Sequence, residues 1–277
     1  MDCVQSQYET PKSRTSPMTW IIVTALSLTL GTPAPDSIVQ ADGMVGFWSL
    51  NGPRLWSSGS GFSDITTQLI GDEFTAAIKP RGHMLYPATT LVEIENTHNR
   101  SGGIVFPQKE AVAICEAARA QGIATYLDGA RLWNAAVASG LSLAQCAEPF
   151  DLVSVAFSKG LGAPAGSLLA GNKETIQRCV RCRRTLGGAM RQVGILAAAA
   201  LYALDHNMTR MPEDHANAKA LAEKLAGVKG LNIDMNTVQT NIVIFRTASS
   251  APDAATIVAK AREQGLLVNA FAERTVR

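Results

Sequence analysis

Leu152-Val153-Ser154-Val155-Ala156-Phe157, running directly into Ser158-Lys159-Gly160-Leu161-Gly162-Ala163-Pro164, is the stretch that decides the fold. The first part is short, apolar and partly β-branched, and a glycine-rich turn bounds it, which predicts a buried strand over 152–157 rather than a helix. The second part is a loop of small residues with one lysine. In an open α/β sheet, loops at the carboxyl ends of strands line the ligand crevice, so Lys159 stands where covalent chemistry is done.

Upstream, Gly122-Ile123-Ala124-Thr125-Tyr126-Leu127 reads as a second strand and ends in Asp128-Gly129-Ala130-Arg131. A carboxylate and a guanidinium thereby reach the same kind of position as Lys159. A lysine can form a Schiff base with a carbonyl cofactor, and an aspartate can keep a pyridine nitrogen protonated so that the ring accepts electrons. An arginine offers a planar fork to a phenolate or carboxylate oxygen. Asp128 also has a plain structural use as a helix N-cap before Gly129-Ala130-Arg131, and one residue can serve both ends.

Outward from this centre the pattern alternates. A short helical pattern covers 72–79, a strand 87–95, and a helix that Pro107 precedes runs through Ala120 with Ala111, Val112, Cys115 and Ala118 on its buried face. Strand 123–127, short helices within 131–147, and strands 152–157 and 165–170 follow. Strands separated by helices predict a mainly parallel sheet with right-handed crossovers, an α/β fold. A helix after Asn172 leads to Gly187-Gly188, and the Ala- and Leu-rich segment 191–205 predicts a buried helix. Pro212 opens a helix into a second unit with strand 240–246, helix 252–264 and strand 266–270.

The 277 residues suffice for one large domain or a large and a small one. A formal charge of +2 gives no general basic surplus. The local cluster Arg178, Arg181, Arg183 and Arg184 reads as a solvated or interface-facing helix side, not a nucleic-acid surface. Five scattered cysteines argue against a disulfide framework and for a reducing compartment. Cys179 and Cys182 form a lone C-x-x-C with no second pair to complete a zinc site, so no metal is expected. Residues 18–30, after Lys12 and Arg14, are similar to the core of a secretory signal but too short for a comfortable membrane span, and Thr and Ser interrupt them. A cytoplasmic location is therefore expected.

Five segments carry a family resemblance: Glu95-Asn96-Thr97-His98-Asn99 with Gly102-Gly103; Leu127-Asp128-Gly129-Ala130-Arg131; Ser158-Lys159-Gly160-Leu161-Gly162-Ala163-Pro164; Leu186-Gly187-Gly188-Ala189-Met190-Arg191-Gln192; and Glu213-Asp214-His215-Ala216-Asn217-Ala218. In this order and spacing, from about Thr66 to Arg277, the chain resembles the low-specificity threonine aldolases. These are pyridoxal-phosphate enzymes of the aspartate-aminotransferase-like fold. The resemblance implies a three-layer α/β large domain over 66–208 and a small α+β domain over 209–277. It also implies cleavage of a β-hydroxy amino acid, threonine or allo-threonine, into glycine and acetaldehyde by a homodimer or homotetramer with shared sites.

By the same resemblance Lys159 binds pyridoxal phosphate covalently with Ser158 beside it, and Asp128 pairs with the ring nitrogen. Arg131 and Arg277 grip the substrate carboxylate, Arg131 also lying at the cofactor, and His98 helps remove the hydroxyl proton. Arg191 reaches the cofactor phosphate of a neighbouring subunit, and Arg184 stands where the family usually has lysine. Residues 1–65 depart from the pattern: the family's serine-aspartate-threonine motif, its serine-glycine-threonine phosphate loop and the histidine that stacks on the ring are not found there. The segment is expected to lie outside the ancestral fold, Arg277 to fray as a terminal residue, and the small domain to be cut short. Such a chain is expected to cleave threonine poorly. Another reaction of the same fold, such as β-elimination, and an inactive remnant are the competing readings.

Overall fold

The computed structural model describes residues 89–277, the backbone of Thr19–Val23, and Phe74, Thr75, Ile78, Arg81 and Gly82. The phosphate loop and ring-stacking histidine sought in the sequence, and the helical pattern at 72–79 apart from Phe74, Thr75 and Ile78, lie outside the described residues.

β2 (Leu91–Glu95), β3 (Ala124–Gly129) and β4 (Leu152–Ala156) pair in parallel, and β5 (Ser167–Gly171) closes on β4 antiparallel. β1 (Thr19–Val23) adds to β5 antiparallel, giving the order β1-β5-β4-β3-β2. Four of the five strands thus point one way, and β5 alone is reversed. The parallel sheet expected at 87–170 is present; the strand at Thr19–Val23 is a correction. Part of the stretch read as similar to a signal core lies at the sheet edge.

The parallel strands alternate. Val92 and Ile94 on β2, Leu127 on β3, and Val153 and Val155 on β4 are buried. They meet α1 (Gln108–Ala120), whose Ala111, Ile114, Cys115 and Ala118 are buried at helical spacing. Ile114 takes the place expected for Val112, which is only half-buried. Asp151 fixes the β3–β4 register by accepting from the Thr125 amide at 2.8 Å and its hydroxyl at 3.0 Å. The other face of the strands carries Glu93, Glu95, Tyr126, Asp128 and Ser154, all half-exposed. Polar side chains on a half-open sheet face are the raw material of a site.

α2 (Leu132–Ser139) and α3 (Leu143–Ala147) follow β3, the first stopped by Gly140 at φ 70° and the second started by a capping box on Ser142. After β5, α4 (Lys173–Thr185) is capped by Asn172. α5 (Gly194–Asn207) departs from expectation. Only Ala200 and Ala203 are buried, whereas Ile195, Leu201 and Tyr202 are 79%, 52% and 62% exposed. Its apolar residues surround the helix rather than forming one stripe, so a single chain can cover only one side.

α6 (Met211–Ala226) leads to a second, antiparallel sheet of order β6-β7-β9-β8, formed by β6 (Leu231–Asn232), β7 (Phe245–Thr247), β8 (Ala270–Ala272) and β9 (Thr275–Val276). α7 (Ala254–Glu263), capped by Asp253, packs on it around Phe245, Ala254 and Val276. The strand expected at 240–246 is confined to Phe245–Thr247, because Thr240 turns its hydroxyl to the Gly103 carbonyl at 2.8 Å instead of entering a ladder. The strand expected at 266–270 starts only at Ala270, since Leu266 and Leu267 are exposed.

Candidate functional site

Glu95, Asp128 and Ser154 are register partners across β2, β3 and β4, and Lys159 follows β4 by one short loop. Parallel pairing brings all these chain segments out at one edge. Asp128 Oδ1 accepts from the Ala130 amide at 3.0 Å, which tightens the turn that carries Arg131. Gly129 is required in that turn: a Cβ there would lie 2.5 Å from the Ser154 carbonyl oxygen. Its φ is ordinary, so the demand is for space.

The Lys159 loop is held from three directions. Within it, the Gly162 amide donates to the Lys159 carbonyl at 2.9 Å, and the Ala163 amide to the Phe157 carbonyl at 3.0 Å. Trp133 Nε1 donates to the Ala156 carbonyl at 2.8 Å, and its ring stacks on Phe157. Asn207, at the end of α5, donates to the Leu161 carbonyl at 2.8 Å. Ser158 and Lys159 themselves remain exposed. The pKa of Lys159 is lowered, first by partial burial and then by the Arg131 guanidinium, with Asp128 and Glu95 opposing and Arg277 adding to the effect. Lys159, Asp128, Arg131 and Arg277 therefore share one electrostatic neighbourhood.

Glu95 organises the other half. Its Oε1 accepts from the Asn99 amide at 3.1 Å and faces Arg131 at 3.4 Å, while Oε2 lies 3.5 Å from His98 Nε2. His98 is 5% exposed. Its Nδ1 accepts from the Ser101 amide at 3.2 Å and lies 2.8 Å from the Ser101 hydroxyl, so the neutral ring carries its proton on Nε2, towards Glu95. Burial is the main cause of a lowered His98 pKa; Glu95 opposes it and Arg100 and Arg131 reinforce it.

Arg277 is not frayed. Its backbone exchanges two hydrogen bonds with Asn269, at 2.8 and 2.9 Å. Its guanidinium donates to Asn99 Oδ1 and lies over the Phe271 ring, 5.5 Å from the centroid. Asn99 thus joins the two arginines: its amide bonds Glu95, the partner of Arg131, and its side chain bonds Arg277. Sequence reasoning quoted Glu95 and Asn99 but gave neither a role. The available signal was Glu95's position at a strand end.

Arg191 lies outside this cluster, exposed before α5, in a segment where Leu186 and Met190 are exposed as well. The Arg178–Arg184 side of α4 and the Cys179–Cys182 pair are also separate from it. Among the described residues no group of three or more His, Cys, Asp or Glu is arranged to hold a metal, and no helix is long and apolar enough to cross a membrane.

Residues 29–248 match the family described as beta-eliminating lyase. The chain belongs to this family. The match begins well upstream of Thr66, where the resemblance was first legible, so residues 29–65 lie within the beta-eliminating lyase region. The chain is 42% identical over 171 residues to low-specificity L-threonine aldolase 1 of Arabidopsis thaliana, covering 61% of this chain and 48% of that protein. It is 39% identical over 199 residues to the low specificity L-threonine aldolase of Escherichia coli K12, covering 72% of this chain and 57% of that one. The chain spans about half the length of the curated relatives it matches. A structure from Listeria monocytogenes, assigned as an L-allo-threonine aldolase, matches at a TM-score of 0.60 and 28% identity over 70% of this chain and 55% of that one. An Exiguobacterium structure at 23% identity and a TM-score of 0.61 shows the same fold.

Proposed function

We propose that this beta-eliminating lyase cleaves L-threonine and L-allo-threonine to glycine and acetaldehyde, with pyridoxal phosphate bound at Lys159. The observation that carries the reading is the shared neighbourhood of Lys159, Asp128 and Arg131 at one edge of parallel strands, which Arg277 joins from the second sheet through Asn99. The donor set fits the cofactor: an amine for its carbonyl, a carboxylate for its ring nitrogen, and guanidinium groups for a substrate carboxylate. Bound there, pyridoxal phosphate supplies a carbonyl to the amine and a ring that withdraws electrons from the bond to be broken.

The remaining tasks fall to the chain. Partial burial and Arg131 favour the neutral, nucleophilic form of Lys159. Asp128 would hold the ring nitrogen while its Oδ1 keeps the Arg131 turn closed. Arg131 and Arg277 repel one another, and a substrate carboxylate between them relieves that repulsion while fixing which bond at Cα is strained. His98, kept neutral by burial, would take up the β-hydroxyl proton at Nδ1, relayed by the Ser101 hydroxyl that lies 2.8 Å from that nitrogen or by a water in its place. Glu95, on the Nε2 side, stabilises the ring once it is charged. Breaking the Cα–Cβ bond then leaves acetaldehyde, and a proton returned to Cα completes glycine.

We read the working form as a homodimer or homotetramer in which Arg191 reaches the neighbouring subunit's cofactor phosphate. The apolar groups left open on α5 support this, because Ile195, Leu201 and Tyr202 are exposed in the single chain. A cytoplasmic setting is supported by Cys115, Cys146, Cys179 and Cys182 all being free thiols. The family description favours β-elimination as a second reading. Incubation with threonine and pyridoxal phosphate separates the readings: glycine and acetaldehyde support cleavage, 2-oxobutanoate and ammonia support elimination, and neither product refutes both.

A further inference from the structure

His215 belongs to a sequence segment, Glu213 to Ala218, that the proposed reaction leaves without a role. It projects from α6 towards Asn134 on α2, with its Nε2 3.1 Å from Asn134 Nδ2. An amide nitrogen can only donate, so His215 Nε2 accepts and the ring carries its proton on Nδ1. Burial lowers the His215 pKa, which keeps that acceptor available.

Asn134 is fully buried, and its Oδ1 has no hydrogen-bond partner among the described residues. That oxygen is pressed against Gly160, the residue next to Lys159. A Cβ on Gly160 would sit 2.4 Å from Oδ1 and 3.1 Å from Cγ and Nδ2. The oxygen-bearing edge of the amide therefore abuts Gly160, in space only a glycine leaves open. The preceding residue, Trp133, grips the Ala156 carbonyl, so the first turn of α2 touches both the strand end and the loop after it. With the oxygen unpartnered, the amide depends on its nitrogen end for a hydrogen bond that holds its orientation, and His215 supplies that bond.

We propose that His215 and Asn134 act as a strut in which α6, through the Asn134 amide, positions the Lys159 loop; this rests on Lys159 being the reactive lysine. His215 is a positioning residue that touches neither substrate nor cofactor. The strut also ties the lysine to the helix that leads into the second sheet.

The test reads Lys159 without cofactor. The full chain is treated with trace acetic anhydride across a pH series, and acetylation of Lys159 is compared by mass spectrometry with that of Lys219, exposed on α6. In His215→Leu the loosened loop lets Lys159 draw away from Arg131 and from the groups that partly cover it, so at about pH 8 its neutral-amine fraction, and hence its labelling ratio, falls about threefold. His215→Gln, which returns an acceptor, restores the ratio. Should His215→Leu lose its helical signal, His215→Phe, which keeps a ring and deletes the acceptor, is read the same way. A ratio unchanged in the variants lacking the acceptor, or falling equally in His215→Gln, overturns the strut. Pyridoxal phosphate with borohydride is applied separately to the unmodified chain. Failure to label Lys159 there refutes the cofactor reading, while an unchanged acetylation ratio refutes the strut alone.

Discussion

Glu95 lies directly opposite Asp128 on the β2–β3 ladder, so two carboxylates leave neighbouring parallel strands side by side. Their environments separate their tasks. Asp128 bonds its own turn, whereas Glu95 faces Arg131, His98 and the Asn99 amide together. Glu93, one pleat back on the same face, has its pKa raised, first by burial and then by repulsion from Asp128 and Glu95. The face is crowded with negative charge, which Arg131 and a protonated ring nitrogen would offset.

Glu95→Gln keeps the shape and removes the charge. Arg131 loses its partner and a protonated His98 loses its stabiliser, so threonine KM should rise and kcat fall, with kcat/KM down about tenfold to a hundredfold. Glu95→Asp should recover part of the loss. Steady-state kinetics indistinguishable from wild type in Glu95→Gln would remove Glu95 from the site.

Lys159 should be the residue that borohydride fixes to pyridoxal phosphate, detected as a modified peptide that Lys159→Ala abolishes. Stability should move the other way. With a lowered pKa, the folded chain holds the lysine proton less tightly than the unfolded chain, so the charged side chain costs stability at neutral pH and stops costing it above the ordinary value of about 10.4. Lys159→Met should therefore melt at or above the wild-type temperature. A fall of several degrees would show that Lys159 is a structural residue.

Acid should destabilise the fold through two histidines, one buried and one half-buried. His98 and His215 both have pKa values lowered by burial. Between the ordinary histidine value of about 6.5 and the lower folded one, the unfolded chain binds more protons, so stability is complete above that window and declines as pH falls through it. Melting temperatures should drop between about pH 7 and pH 5. His98→Asn and His215→Gln should each flatten the drop, and equal slopes in all three proteins would contradict the assignment. Asp253, whose pKa is lowered by its hydrogen bonds to Thr256, adds a loss only in more acid solution.

The strands bearing Asp128 and Lys159 were legible because each is a short apolar run ending abruptly in chemistry, and periodicity locates such ends well. The role of Glu95 was not, because its partners sit on the following loop and in the turn after the next strand, and no local pattern encodes register between β2 and β3. Arg277 looked free because a terminal residue frays by default; the backbone of Asn269, beside it at the end of the same sheet, and the side chain of Asn99, far away in sequence, hold it. The α5 helix looked buried because its composition is apolar. Composition cannot say whether the covering surface belongs to the same chain.

Thr240 and Gln239 join the second sheet to the loop that carries His98. Thr240 is fully buried and donates its hydroxyl to the Gly103 carbonyl at 2.8 Å, while the Gln239 side chain accepts from the Val105 amide at 3.0 Å. Gly103 donates to the His98 carbonyl at 2.9 Å, so the segment 239–240 braces the loop that carries His98. Gly103 has φ +78°, and a Cβ there would lie 2.6 Å from Thr240 Oγ1. Gly103→Ala therefore combines backbone strain with a clash against the bond that joins the sheets, and should cost about 1–3 kcal/mol. Thr240→Val keeps the volume and deletes only the hydroxyl, so its cost should stay near 1 kcal/mol. Urea unfolding of the two variants should rank them in that order, and Gly103→Ala should also slow threonine cleavage by displacing His98. If Gly103→Ala unfolds at the wild-type urea concentration, the contact between Gly103 and Thr240 does not brace the His98 loop.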